Sequence, residues 1–366
     1  MPSRQFESVG AVSDHLKEML GNDGAKIFSL YAFNATGKTR LAGTFNNSIE
    51  DLGIESDQVY SLNYSAHFED LFVWDNTTNE LWCSEDAHFV WQTIKDENLE
   101  KRVSDYFQQL ANTHIEPNFN FETNTITFSY ASGDNEAADS IKVSRGEESL
   151  LIWSVFYAIL ECAVENLETT QENRSSSLFN YLEYVVIDDP VSSIDDTRIV
   201  NTALQVDAIS KKLQKLGISV VILTHHTLFY SVLLHSMRKL KRTGVFQSYS
   251  LKKDSDNTLE LRDENDSPFA YHLQVIDVLK NAVDQNDINR SHFNMYRALL
   301  EKTASFFGVS DWSQCLTDEY RDLTKRMLDT YSHARLSELE PRDLHERDKE
   351  LFAHSFKGFL DRYNWS

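Results

Sequence analysis

Apolar positions in the first 260 residues come in short runs that alternate with amphipathic stretches. Residues 25–31 read as a strand, and helix-like sequence follows Gly37. Residues 57–64 read as a second strand and 95–115 as helical. Thr125-Ile126-Thr127-Phe128-Ser129-Tyr130 alternates with the period of two that a strand requires. A long helical pattern over 147–167 leads through a polar loop, Gln171–Ser177, to strands at 182–187 and 218–223. An amphipathic helix over 197–215 joins those two strands. Strands separated by helices predict a mostly parallel sheet, because parallel neighbours need a crossover between them.

The pattern changes after residue 262. Phe269–Val283, Ser291–Phe307, Asp318–Ser332 and Arg342–Arg362 all carry helical spacing, with Gly308 suited to a helix stop and Pro341 to a helix start. The polar run Asp263-Glu264-Asn265-Asp266-Ser267-Pro268 reads as a linker. The expectation is an α/β domain over 1–262 followed by a mainly α-helical domain over 263–366.

Composition narrows the function. At 366 residues and 41% hydrophobic, the chain has material for two cores. A net charge of −22 argues against a generic nucleic-acid binder. The charge is uneven, however. Residues 268–366 hold 13 Lys and Arg against 16 Asp and Glu, a net of −3 that leaves −19 on the remainder. Only the C-terminal part is near enough to neutral to approach a phosphate backbone. Cys83, Cys162 and Cys315 lie far apart without metal-ligand spacing, which predicts reduced thiols. Neither a signal peptide nor an apolar run long enough to span a bilayer is evident, so the expectation is a cytoplasmic protein with no membrane partner.

Four stretches carry the chemistry of a nucleotide site. Ala32-Phe33-Asn34-Ala35-Thr36-Gly37-Lys38-Thr39 sits between a strand and a helix and fits the phosphate-loop pattern, with Ala32 in place of the first glycine. Its backbone N–H groups, from Asn34 through Arg40, would cradle phosphates. Lys38 would reach the β- and γ-phosphates of ATP or GTP, and Thr39 would hold Mg²⁺. Next, Ser144-Arg145-Gly146-Glu147 precedes the long helix. It fits either a γ-phosphate-binding helix start or an ordinary capping box from Ser144 to Glu147. Then an apolar strand runs into Asp188 and Asp189, with Pro190 and a Ser192-Ser193-Ile194-Asp195 turn behind them. Asp188 would bind Mg²⁺ and Asp189 would orient the attacking water. Finally, Val220–Thr224 ends at His225, with His226 adjacent, so either could sense γ-phosphate. Asn63 is the candidate for a further polar loop residue.

These motifs stand in the order of ABC-type ATPases, and each resembles its counterpart there. That resemblance implies a head-to-tail homodimer in which the Ser144 motif and Asp195 serve the phosphate loop of the other copy. Only about 105 residues separate Lys38 from Ser144, too few for long coiled-coil arms.

In the C-terminal part, Arg297 and Glu301 are four apart and share one helical face, and His333 follows the next helix pattern. On spacing alone this is a surface ion pair and an unrelated histidine. As a set, the three groups suffice for metal-free RNA cleavage by 2′-OH attack. His292, His345 and His354 are rival histidines. Phe293, Tyr296, Tyr320 and Tyr331 are candidate base-stacking aromatics, or simply core. Arg238-Lys239-Leu240-Lys241-Arg242 is a basic run that fits tRNA phosphates or a solvated helix face.

The chain as a whole resembles the PrrC-type anticodon nucleases. The likeness is carried by Tyr31–Leu41, His67–Asp75, Ser144–Ser149, Ile152–Tyr157, Ile187–Ser193 and Glu301–Gly308. The aspartate pair and the Glu-Lys-Thr-Ala-Ser-Phe run are marks of this group rather than of ABC enzymes at large. The resemblance implies catalytic roles for Arg297, Glu301 and His333. It implies cleavage beside the wobble nucleotide of a tRNA, usually tRNA-Lys, leaving 2′,3′-cyclic phosphate and 5′-hydroxyl ends without a metal. It also implies an antiphage toxin, silenced by a type I restriction-modification complex and released by a phage-derived activator. The alternative from the residues alone is a regulatory ABC-type ATPase of a defence or DNA-repair complex whose C-terminal helices only dock.

Overall fold

The computed structural model describes residues 3–22, 26–32, 36–45, 59–130, 141–191, 194–253, 258–263, 270–317, 321–332 and 344–363. Asn34, Ala35, Ser192, Ser193, Tyr320 and His333 therefore lie outside the described residues. The chain divides into two compact units, Met1–Asp266 and Ser267–Ser366.

Unit 1 is built on a seven-stranded sheet. Its strands are β1 (Ser3–Phe6), β2 (Ile27–Ala32), β3 (Ser61–Tyr64), β8 (Tyr184–Asp188), β9 (Ser219–Thr224), β10 (Phe246–Lys253) and β11 (Leu259–Asp263). They run in the order β1-β11-β10-β2-β9-β8-β3. The five strands from β10 to β3 are mutually parallel, as the alternating pattern predicts. The β1–β11–β10 edge is antiparallel, which the pattern did not predict.

The central strands read as continuous apolar runs because both faces are covered. All six residues of β2 and of β9 are buried. Alternate side chains divide between two cores. Phe28, Leu30, Val186, Val221 and Leu223 face one side, where they meet Val12, Leu16 and Leu20 of helix α1 (Val9–Asn22) and Leu41 of α2 (Lys38–Gly43). Ile27, Val185, Ile187, Val220 and Ile222 face the other, together with the long helix α6 (Arg145–Glu168) and α7 (Asp196–Lys215).

A second, antiparallel sheet adds β4 (Phe72–Asp75), β5 (Glu80–Cys83), β6 (Ile115–Asn120) and β7 (Thr125–Tyr130) in the order β4-β5-β7-β6. Around it lie α3 (Ala66–Glu69), α4 (His88–Asp96) and α5 (Glu100–Ala111). The single helix expected over 95–115 is thus interrupted and shortened. Asn98 and Asn112 adopt left-handed backbone (φ 53° and 49°), which Asn tolerates and which ends helices, and the chain is a strand again by Ile115.

Contrary to expectation, α6 is long and apolar enough to cross a membrane by length and composition. Its most apolar window is 83% buried inside the unit. A helix packed on every side is apolar on every side, so the composition follows from its place in the core. Unit 1 also contains α8 (Thr227–Ser236) and α9 (Arg238–Arg242).

Unit 2 is helical among its described residues. It contains α10 (Ala270–Asp284), α11 (Arg290–Phe306), a 3-10 turn at Trp312–Cys315, α12 (Arg321–Ser332) and α13 (Glu346–Arg362). Gly308 closes α11 with φ 67°. The core packs Phe293 at a tilt against Phe352 at 4.9 Å and sets Tyr296 edge-on to Phe356 and Phe359. The Tyr296 hydroxyl donates to the Ser355 carbonyl at 3.0 Å.

Trp153 is fully buried at the centre of unit 1, edge-on to Tyr64 at 5.2 Å, and its Nε1–H donates to Gln205 at 2.8 Å. Trp153→Ala is expected to cost about 4 kcal/mol of stability, read by chemical denaturation, with Trp153→Phe costing less because much of the ring volume remains.

Candidate functional site

Strand register brings the nucleotide motifs together. Tyr31 of β2 pairs with Thr224 of β9, and Leu223 pairs with Asp188 of β8. The C-terminal ends of three neighbouring strands are therefore level, and the segments that leave them meet. In open parallel sheets this edge is where ligands bind.

Gly37 has φ 100°, and a Cβ there would lie 3.0 Å from Val9 Cγ2. The left-handed backbone calls for glycine, and any larger residue would also have to displace the Val9 side chain. The turn starts α2, and Lys38 reaches back to the end of β2. Lys38 is buried, and its Nζ donates to the Ala32 carbonyl at 3.1 Å and lies 3.4 Å from Asp189 Oδ2. Thr39 Oγ1 donates to Asp188 Oδ2 at 2.9 Å.

Asp189 sits in left-handed backbone (φ 49°) just before Pro190. Asp is among the few residue types that visit this region readily. Its carboxylate meets β9: the His225 backbone N–H donates to Asp189 Oδ1 at 2.8 Å, and His225 Nδ1 is also 2.8 Å from that oxygen. Of the two histidines, His225 is the one whose ring reaches the aspartate. His226 occupies the N-cap position of α8, and its N–H donates to Thr224 Oγ1.

The adjacent carboxylates titrate apart. Burial, and then the charge of Asp189, push Asp188 up to about 6, against the pull of Thr39 and Lys38. Asp189 is also desolvated, but the His225 hydrogen bond and the Lys38 charge outweigh burial and hold it below the usual carboxylate range.

Asp188 Oδ1 is buried without a hydrogen-bond partner. An orphan carboxylate oxygen beside the Thr39 hydroxyl is an oxygen-rich, anionic donor set that suits a hard divalent cation such as Mg²⁺. Asn63 lies one strand outward, paired with Val186, with its Oδ1 also buried and unpartnered.

At the head of α6 the capping-box geometry is realised. Glu147 N–H donates to Ser144 Oγ at 3.3 Å, and Ser144 N–H donates to Glu147 Oε2 at 2.8 Å. Ser144 and Arg145 are exposed. Asp195 is the N-cap of α7, accepting from Arg198 N–H at 3.1 Å, with the Arg198 guanidinium 3.2 Å from its other oxygen. Arg40 is exposed on α2.

In unit 2 the Arg297–Glu301 pair forms as its spacing predicts, with Arg297 Nε donating to Glu301 Oε1 at 2.8 Å. The guanidinium has two further neighbours. Its Nη1 donates to Asp329 of α12, and the group lies over the Trp312 ring at 5.0 Å. Burial opposes the charge of Arg297, but the two carboxylates more than compensate and raise its pKa.

The rival histidines have other duties. His292 Nδ1 accepts the Asn289 N–H at 3.1 Å in a helix cap, and burial lowers its pKa. His354 Nδ1 donates to the Glu350 carbonyl, and His345 stands at the N-cap position of α13. Phe293 and Tyr296 are fully buried, so they belong to the core and are closed to base stacking. Tyr331 is half-buried and donates to Asp348 at 2.7 Å. In the basic run, Lys241 donates to Ser248 Oγ, while Arg238, Lys239 and Arg242 are exposed.

A parallel sheet with Gly37-Lys38-Thr39 after one strand and a buried aspartate ending another is the layout of the P-loop class. No family model matches the chain. An anticodon nuclease from Escherichia coli is 35% identical over 334 residues, covering 85% of this chain and 83% of that protein. The chain belongs to the anticodon nuclease family. Solved structures similar to it include an SMC head bound to the C-terminal winged-helix domain of ScpA (10% identity, 65% of this chain and 90% of that one, TM-score 0.36). An SMC head from Thermotoga maritima (12%, 66% and 91%, TM-score 0.30) and the ATP-binding cassette of an ABC transporter in its ADP conformation (10%, 62% and 77%, TM-score 0.27) are further ones. At those scores they add nothing to the fold described above.

Asp188→Asn in metal-free protein is expected to be stabilising by on the order of 2 kcal/mol at pH 8. The folded-state pKa is raised, so the native aspartate loses stability as pH climbs from the unfolded carboxylate value through about 6. Asparagine has no such loss. Denaturation curves at pH 8 and pH 4 check this, and the gap between variant and parent should close at the lower pH.

Proposed function

We propose that this protein is a nucleotide-gated tRNA anticodon nuclease, with the nucleotide site in unit 1 and RNA cleavage in unit 2. One observation carries the reading. The 334 residues matched to the E. coli anticodon nuclease cannot fit within either unit alone, so the likeness extends over both.

In unit 1, Lys38 and the loop N–H groups bind the phosphates of ATP or GTP. Thr39 and Asp188 would hold Mg²⁺, which would supply neutralisation of phosphate charge. Asp189 accepts a proton from the attacking water and holds it in line, and His225 orients Asp189. Arg145 and the Gly146 N–H, at the exposed head of α6, serve the phosphate loop of a second copy, which makes the working form a head-to-tail dimer. A phosphate arriving at Lys38 competes with Asp189 for the ammonium, so nucleotide binding itself frees the carboxylate.

In unit 2, Glu301 and His333 share acid–base duty. One takes the proton from the ribose 2′-OH, whose oxygen then bonds to the adjacent phosphorus. The other protonates the departing 5′-oxygen, so a 2′,3′-cyclic phosphate and a 5′-hydroxyl result. Arg297, held charged by its carboxylate neighbours, stabilises the extra negative charge of the phosphorane. No step requires a metal. Family membership supports a cut near the wobble position, with tRNA-Lys as the first substrate to try. It equally supports a cytoplasmic toxin kept silent beside a type I restriction-modification complex until a phage-derived activator appears.

The test is full-length protein with total tRNA and nucleotide, with 5′-hydroxyl ends mapped. Cuts should fall in an anticodon loop, and with nucleotide-loaded protein the cleavage step should survive EDTA. Arg297→Ala and His333→Ala should each lower cutting by about a hundredfold or more. Lys38→Ala should abolish cleavage in cells while the protein stays folded. Absence of anticodon-loop cuts with an intact ATPase would favour a docking role for unit 2 instead.

A further inference from the structure

Arg321, Lys325 and Asp329 recur every four residues along α12, so they form one stripe down the helix. All three reach out of α12, Arg321 and Lys325 to the turn that carries Trp312 and Asp329 to α11. Arg321 Nε donates to the Ser313 carbonyl at 3.1 Å, on the turn that carries Trp312. Lys325 donates to Asp311 at 2.7 Å, and Asp311 caps that turn by accepting the Ser313 N–H at 2.9 Å. Asp329 takes the Arg297 guanidinium of α11. In sequence, the next position at this spacing is His333, directly after the last residue of α12.

The guanidinium is thus held three ways. Glu301 takes Nε, Asp329 takes Nη1, and the Trp312 ring covers its face. Two carboxylates on different helices fix both the direction and the plane of a rigid fork, which a single partner on its own helix would not. Neither the phosphate-loop motifs nor the Arg297, Glu301 and His333 set accounts for this second carboxylate.

We propose that Asp329 is a positioning residue for RNA cleavage. It acts through Arg297, aiming the guanidinium while tying the end of α12 to the helix that carries Glu301. Trp312 limits the guanidinium to the plane in which both carboxylates are reached. The inference rests on the reading of Arg297 as the cation of the nuclease site.

A surface-type ion pair adds little to stability, so a merely structural Asp329 and a positioning one make different predictions. The experiment is cleavage kinetics of the full chain on the tRNA it cuts, comparing Asp329→Asn, Asp329→Glu, Arg297→Lys and the double variant Arg297→Lys/Asp329→Asn. Asp329→Asn should lower kcat by about tenfold or more, with KM and the thermal midpoint unchanged. Asp329→Glu should recover part of the loss. In the Arg297→Lys background, Asp329→Asn should cost less than about twofold, because the residue it aims is already compromised. Full additivity, a loss confined to KM, or a loss that follows a fall in the thermal midpoint would overturn the proposal. So would unchanged kinetics for Asp329→Asn while Arg297→Lys is impaired, which leaves the nuclease site intact and removes only the positioning role. Unimpaired Arg297→Lys and Arg297→Ala would remove the site itself.

Discussion

Two adjacent carboxylates at the buried end of a strand repel each other and resist desolvation. Much of the nucleotide site in unit 1 is arranged around that cost. Asp188 is left with one satisfied oxygen and one orphan, and its affinity for protons rises accordingly. Asp189 is turned the other way by a left-handed backbone and is met by His225 and Lys38. The pair can coexist because the backbone sends them to different partners: a hydroxyl for one, an ammonium and an imidazole for the other. That division matches the roles proposed for them, metal ligand and water-orienting base. It depends on the level ends of β2, β9 and β8, since a slip of one residue in either pairing would point the site's side chains to the wrong face of the sheet.

Much of this was legible in the chain. Continuous apolar runs gave away β2, β8 and β9, because a strand covered on both faces has no polar side to show. The phosphate loop and the aspartate pair were legible because the residue types are scarce and their order is fixed. The antiparallel edge was not. β1, β10 and β11 carry mixed burial patterns, and the partner of β1 lies far away in sequence, as in the pairing of Ser3 with Arg262. The break between α4 and α5 turned on one asparagine, which periodicity does not register. The apolar length of α6 was undervalued because burial on every side, rather than a membrane, explains it.

In unit 2 the sequence showed half of the arginine site. Arg297 and Glu301 are neighbours on one helix, so spacing alone pairs them. Asp329 and Trp312 come from other elements, and only tertiary packing joins them to the guanidinium. A signal did exist in the four-residue recurrence from Arg321 to His333, but such stripes are common on solvated helices. The aromatic candidates failed for the opposite reason: Phe293 and Tyr296 lie on the inward face of α11, where rings make the core. The two units solve related problems in related ways. In each, a cation is shared between acidic or carbonyl oxygens from separate elements, so that its position is fixed before a phosphate arrives.

In the proposed function, the Asp188–Asp189 site times the action of the cleavage site. Asp189→Asn separates binding from hydrolysis, since it keeps the side-chain shape while removing the charge that draws the proton from water. The decisive measurement follows hydrolysis and tRNA cleavage together in one preparation of that variant. Nucleotide affinity is expected to be held or tightened, because the competitor for Lys38 is gone, with hydrolysis slowed by about a hundredfold or more and a cleaving state that persists correspondingly longer after free nucleotide is removed. Hydrolysis at the parent rate, or a cleaving state that decays on the parent's timescale despite slowed hydrolysis, would contradict it.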